Sequence, residues 1–210
     1  MTNLIVLNPV IEMLLGKDGF YSLKIFLTEN GWYVRGAIVG KTAVLEQTRE
    51  YLDKKPPKPV IDSRCPLVVS MIIKEFPGLV KNLSPVLPIL ITGALAEKDL
   101  CLSKLGGQVN NFLVITPCTA LKFSYQKFEG MLIETWKVFN YKTGLNLPEQ
   151  ILTESPVPPG FFNELHVPIA EANGETEVRS KLSNFDNLPP ETEFLELLAC
   201  KGGCIAGDGL

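Results

Sequence analysis

At 210 residues, with 46% apolar and 20% charged side chains, the chain is long enough to bury a core and too apolar to be disordered along its length. A net charge of −3 without any Lys/Arg-rich stripe excludes the electrostatic footprint of a nucleic-acid-binding protein. The longest apolar stretch, VLPILITGALA, contains Pro88 and Gly93, and the opening MTNLIVLNPVIEMLL has no basic residue before Lys17. Neither a membrane span nor a signal peptide is expected, and the chain reads as soluble, unexported and cytoplasmic.

Taken in order, the elements begin with LIVLN followed by Pro9 and VIEMLL: a β-branched run, a polar residue, then an amphipathic pattern. The same arrangement recurs at PVIDSRC-Pro66-LVVSMIIKEF and at FLVIT-Pro117-CTALKF. Proline suits the first helical turn, where its missing N–H would be unpaired anyway, so each instance predicts strand, tight turn, helix. Between the first two, helical spacing covers Tyr21 to Thr28 with Gly31 to end it, a strand is expected over Trp32 to Val39, and a helix over Thr42 to Leu52. KKPPKP, residues 54 to 59, is a loop. Beyond Cys118, KFEGMLIETWKVFNYKTG (127 to 144) reads as helical. Residues 145 to 190 read as loop-rich with room for a short helix, and FLELL before a glycine-rich turn reads as a last strand. Strands alternating with helices predict an α/β fold with largely parallel sheet, as one domain over 1–210, or as two lobes at 1–100 and 101–210.

The five cysteines are Cys65, Cys101, Cys118, Cys200 and Cys204. An odd count without an export signal argues against a disulfide framework. Cys65 and Cys118 each follow a predicted strand and open a predicted helix, where ligands bind in parallel sheets and where free N–H groups favour thiolate. Cys200 and Cys204 enclose two glycines, which allow a tight loop and close backbone approach to a bulky ligand. These four are candidate metal ligands. Cys101, inside DLCLSKL, is read as core packing. Spacing alone leaves structural zinc and an iron–sulfur cluster both open, although no close C-x2-C knuckle is present. His166 is read as a surface residue, Glu12, Glu75 and Glu97 as solvated helix positions, and neither KDGF nor KLGG has phosphate-loop spacing.

Four segments, in order, resemble the catalytic domain of the di-iron (FeFe) hydrogenases. ITPCTALKF is similar to that family's Pro-Cys-Thr-Ala motif, LLACKGGCIAGDG to its closing Ala-Cys-Pro-Gly-Gly-Cys motif, DSRCPLVVSMIIKEFPGLVKNLSP to its Cys-Cys-Pro segment, and LNPVIEMLLG to its first cluster-facing turn. The resemblance implies a hydrogenase-like fold with a 4Fe-4S cluster at the carboxyl ends of the strands, held by Cys65, Cys118, Cys200 and Cys204. Cys204 would bridge to a di-iron unit carrying CO and cyanide.

The sequence departs from the family at particular positions. Arg64 stands in place of a cysteine thought to relay protons, Leu121 in place of a lysine that holds a cyanide, and Lys201 in place of a proline. The usual Lys-Ser-Pro after Asn82-Leu83-Ser84 is missing, as is a glycine-rich segment before the last motif. Four thiolates would keep the cubane, whereas the di-iron unit depends on surrounding groups. Three readings follow: a redox or sensing iron–sulfur domain without full hydrogen turnover, a divergent hydrogenase with both iron units, and a cluster assembly or carrier protein. No ferredoxin-type cysteine run is present, so a ferredoxin-like subunit or domain is the expected electron partner.

Overall fold

The strand-forming run at the start of the chain, β1 (Thr2–Leu7), lies inside a sheet and is buried from Leu4 to Leu7. Burial on both faces is what a continuous apolar strand requires. The computed structural model describes residues 2–105 and 108–210, so the two glycines of KLGG lie outside the described residues. Asn8 caps the following helix, α1 (Pro9–Glu29), by accepting the Val10 N–H at 2.9 Å, and Pro9 takes the first helical position. Gly16, at φ 62° and ψ 179°, breaks that helix in two. The chain returns in β2 (Trp32–Gly36), parallel to β1. That strand is shorter than expected, because Ala37–Val39 turn into a 3-10 helix leading into α2 (Gly40–Asp53).

The second junction gives β3 (Val60–Ile61) and α3 (Pro66–Glu75). A 3-10 segment, Pro77–Asn82, leads on to α4 (Ile89–Leu105). The third gives β4 (Val109–Thr116) and α5 (Thr119–Tyr125), with Pro117 ahead of the capping Cys118 rather than inside the first turn. The stretch read as helical from 127 is instead a strand, β5 (Leu132–Thr135), before α6 (Trp136–Thr143). Pairing with β4 decides this: Leu132 is exposed and Ile133 buried, an alternation too short to register as a period in sequence. The loop-rich stretch likewise contains β6 (Ile169–Asn173) and α7 (Glu175–Ser183). Their patterns are faint because β6 is a half-buried edge and α7 buries only Val178 and Leu182. β7 (Phe194–Leu198) is fully buried.

Two sheets result, in the orders β2-β1-β4-β5 and β3-β7-β6, and every pairing is parallel. Each takes strands from both sides of residue 100. On the first sheet Ile5 and Leu7 pack with Leu23 of α1 and Trp136 of α6, while Leu4 and Val6 pack with Ile91 and Ala94 of α4. On the second, Ile61 and Leu195 pack with α3 and α7, while Val60 and Phe194 pack with Val44 of α2 and Phe162. The inner helices α2 and α4 join the two units. They cross at Gly40 and Gly93, where an added Cβ on either would collide with backbone of the other unit, at Ile89 and Ala37. Cys101 is buried in the core beside the first sheet. Glu97, expected to be solvated, is also buried, because Arg35 of β2 reaches it at 2.6 Å. Among the described residues no helix is long and apolar enough to cross a membrane.

Candidate functional site

The loop after β3 is shaped by its own side chains. Asp62 extends the ladder by donating its N–H to Leu195 O at 2.9 Å, and its carboxylate accepts the Arg64 N–H at 2.9 Å. This turn delivers Cys65 in an extended conformation to the N-terminus of α3. Cys118 caps α5 in the same way, its sulfur accepting the Leu121 N–H at 3.4 Å. After β7, Gly203 N–H donates to Cys200 O at 3.0 Å, closing a turn in which Gly202 and Gly203 have φ of 76° and 88°. Side chains are disfavoured there, so the glycine pair sets the loop that carries Cys204 into a 3-10 turn. The tail then docks on the third junction: Asp208 accepts the Thr119 N–H at 2.9 Å, and Gly209 N–H donates to Pro117 O at 2.9 Å.

These turns bring Cys65, Cys118, Cys200 and Cys204 to the lining of one cavity of about 100 Å³, together with Asn8 and Pro9 of the first junction. The cavity lies at the carboxyl ends of strands from both sheets, where loops of a parallel sheet converge. Cys204 is reached by water only as a wall of this cavity; protein surrounds its sulfur otherwise. Burial, with repulsion from Cys65 and Cys118, pushes its thiol up to about 12. Burial pushes Cys118 up to about 11 against the pull of the Leu121 and Ala120 N–H groups. It also raises Cys65, against N–H groups of Ala199, Val68 and Leu67, and it raises Cys200. The helix-start N–H groups therefore act in the expected direction, but burial outweighs them, so these sulfurs are thiols at neutral pH until a cation displaces their protons.

The donors fit a sulfur-ligated cluster. They are all soft sulfur, they wall a cavity, and N–H groups already point at two of them. Among the described residues no three His, Cys, Asp or Glu side chains converge as ligands of a single ion. A tetrahedral zinc would need such convergence, with sulfurs at about 2.3 Å from the metal.

Other groups around the cavity are less expected. Leu121 lines it and is buried, so no ammonium stands at that position, and the neighbouring Lys122 turns to Glu134 of β5 at 2.6 Å. A different cation, Lys41 of α2, lines the cavity with its ammonium on the Pro156 carbonyl. Arg64 is buried between two carboxylates, with Nε on Asp62 at 2.7 Å and one Nη on Glu196 at 2.6 Å. Its guanidinium lies 4.9 and 4.4 Å from the rings of Phe161 and Phe162, whose N–H groups donate to Glu196. Burial would lower the Arg64 pKa, but the two carboxylates outweigh it and hold the guanidinium charged. Sequence reasoning passed over this group, although a single glutamate inside the apolar run FLELL marks a buried charge in need of a partner. His166 is exposed and takes no part in the cavity.

Fold and site together define an α/β domain with a cysteine-walled cavity at its strand ends. The family model described as iron only hydrogenase large subunit, C-terminal domain, matches residues 33–132, a span that includes Cys65 and Cys118. A variant of FeFe-hydrogenase HydA1 from Chlamydomonas reinhardtii superposes with a TM-score of 0.69 at 16% identity, over 99% of this chain and 79% of that one. HydA(deltaEFG), whose structure revealed stepwise assembly of the H-cluster, gives a TM-score of 0.67 at 15% identity over 99% and 79%. No curated protein matches the chain. The chain is thereby identified as a shortened, divergent relative of the iron-only hydrogenase large subunit, in its C-terminal domain.

Proposed function

We propose that this single domain is a cytoplasmic iron–sulfur protein that holds a 4Fe-4S cluster on Cys65, Cys118, Cys200 and Cys204 and serves redox transfer or sensing without full hydrogen turnover. The observation that carries the reading is the arrival of four cysteines from three distant segments at one cavity. Such a cluster supplies reversible one-electron chemistry. The chain supplies four sulfurs, N–H donors to Cys65 and Cys118, and apolar walls that exclude water. Leu121 and Arg64 support the absence of turnover: one offers no donor to a cyanide, and the other is fully engaged by carboxylates. A ferredoxin-like subunit or domain is the electron partner in this reading.

A second reading, an active hydrogenase with a di-iron unit, is favoured by Lys41, which offers a cation to the cavity from another element. Iron and acid-labile sulfide per chain, measured after anaerobic purification with the hydrogenase maturases coexpressed, separate the two. About four of each supports the cubane alone, and about six irons supports the di-iron unit as well. Infrared bands of CO and cyanide accompanied by hydrogen evolution would overturn the non-catalytic reading. Negligible iron, or a single zinc, would overturn both.

A further inference from the structure

Arg64 is the one guanidinium lining the cysteine cavity among the described residues, and its charge acts on Cys204. Its partners do not share that placement equally. Glu196 points to the backbone of Phe161 and Phe162 and is not among the groups that act on the four thiols. The guanidinium is fixed by two charge-assisted hydrogen bonds and two aromatic faces, so it cannot swing away.

Resting on the cluster reading above, we propose that Arg64 is a fixed positive charge that sets the reduction potential of the cluster, raising it by stabilising the electron that reduction adds. One electron enters the oxidised cluster, no bond breaks, and the nearest lasting compensation for the added negative charge is the guanidinium. In a buried setting that compensation is screened far less than at a surface.

The test is a mediated redox titration of the loaded protein, followed by visible absorption and electron paramagnetic resonance. Arg64→Gln combined with Glu196→Gln removes both buried charges without leaving one unpaired, and Arg64→Met with Glu196→Met does the same with apolar side chains, a replacement that proteins often tolerate. Either pair is expected to shift the potential to more negative values, and Arg64→Lys is expected to stay nearer the wild type. A cluster kept by Arg64→Lys and lost from both double variants also supports the role of the charge. An unchanged potential in a loaded double variant overturns it. So does an equal shift in Arg64→Lys, or loss of iron from all three variants alike, either of which assigns Arg64 to packing. Full iron with an unchanged potential sinks this inference alone, whereas an iron-free wild type sinks the cluster reading together with it.

Discussion

The two sheets do different work. The first, β2-β1-β4-β5, is built on long apolar strands and contributes one cysteine, Cys118, to the cavity. The second, β3-β7-β6, has strands of two and five residues, yet Cys65, Cys200 and Cys204 all follow its strands, and it holds the Asp62–Arg64–Glu196 group. Stability is concentrated where strands are long and dry, and chemistry where the strands are short and the loops dense. A buried ionic group in the smaller sheet makes the same point, since it adds little net stability over apolar packing but fixes its neighbours in place.

Cysteine substitution is the strongest way to break this contrast. Cys118→Ser on the first sheet and Cys204→Ser on the second are each expected to abolish cluster iron, from about four per chain to background, while Cys101→Ser keeps it. Full loading in Cys118→Ser would make the site a property of the second sheet alone.

The ionic groups come next. Glu196→Ala leaves Arg64 with one partner and two buried N–H groups without theirs, and should cost about 3–5 kcal/mol in urea unfolding of the iron-free protein. The counterpart at the first sheet, Glu97→Ala, should cost about 1–3 kcal/mol, because Arg35 can turn to water. Equal costs would remove the distinction between the two sheets.

A smaller, pH-dependent effect belongs to Glu134 on the edge of the first sheet. Burial would raise its carboxyl, but hydrogen bonds from Lys122, Lys142 and the Thr135 N–H outweigh it and hold the pKa below the usual 4.5. A lowered folded-state pKa contributes stability that is complete above the unfolded value and lost as pH falls through the folded one. The wild type should therefore exceed Glu134→Gln in urea midpoint at pH 7, with the gap closing below about pH 4. A gap that persists at low pH would place the effect in packing. Smallest of all, Arg179→Ala removes the exposed bridge from α7 to Glu75 of α3 and should change stability by about 0–1 kcal/mol in the same assay, with the effect shrinking in high salt.

The sequence by itself determined what short stretches of chain can encode. The three strand–turn–helix junctions are legible because β-branched runs, a polar residue and proline act within a few residues of one another. The cysteine loop at 200–204 is legible because Gly202 and Gly203 adopt positive φ that few other residues accept. The four cysteines that line the cavity could be picked out, and Cys101 set aside, on their local surroundings alone. Tertiary structure decided the rest. It made β5 and β6 into strands by pairing them with β4 and β7 against weak local patterns. It buried Glu97 by bringing Arg35 to it across 62 positions of sequence, and it joined Arg64 to Glu196 across 132. It also raised the cysteine thiols that their helix-start N–H groups would have lowered, because enclosure in one cavity outweighs a few aligned dipoles. Local conformation depends on neighbours in the chain, whereas burial and charge depend on whatever the fold brings alongside, and no short window of sequence carries that information.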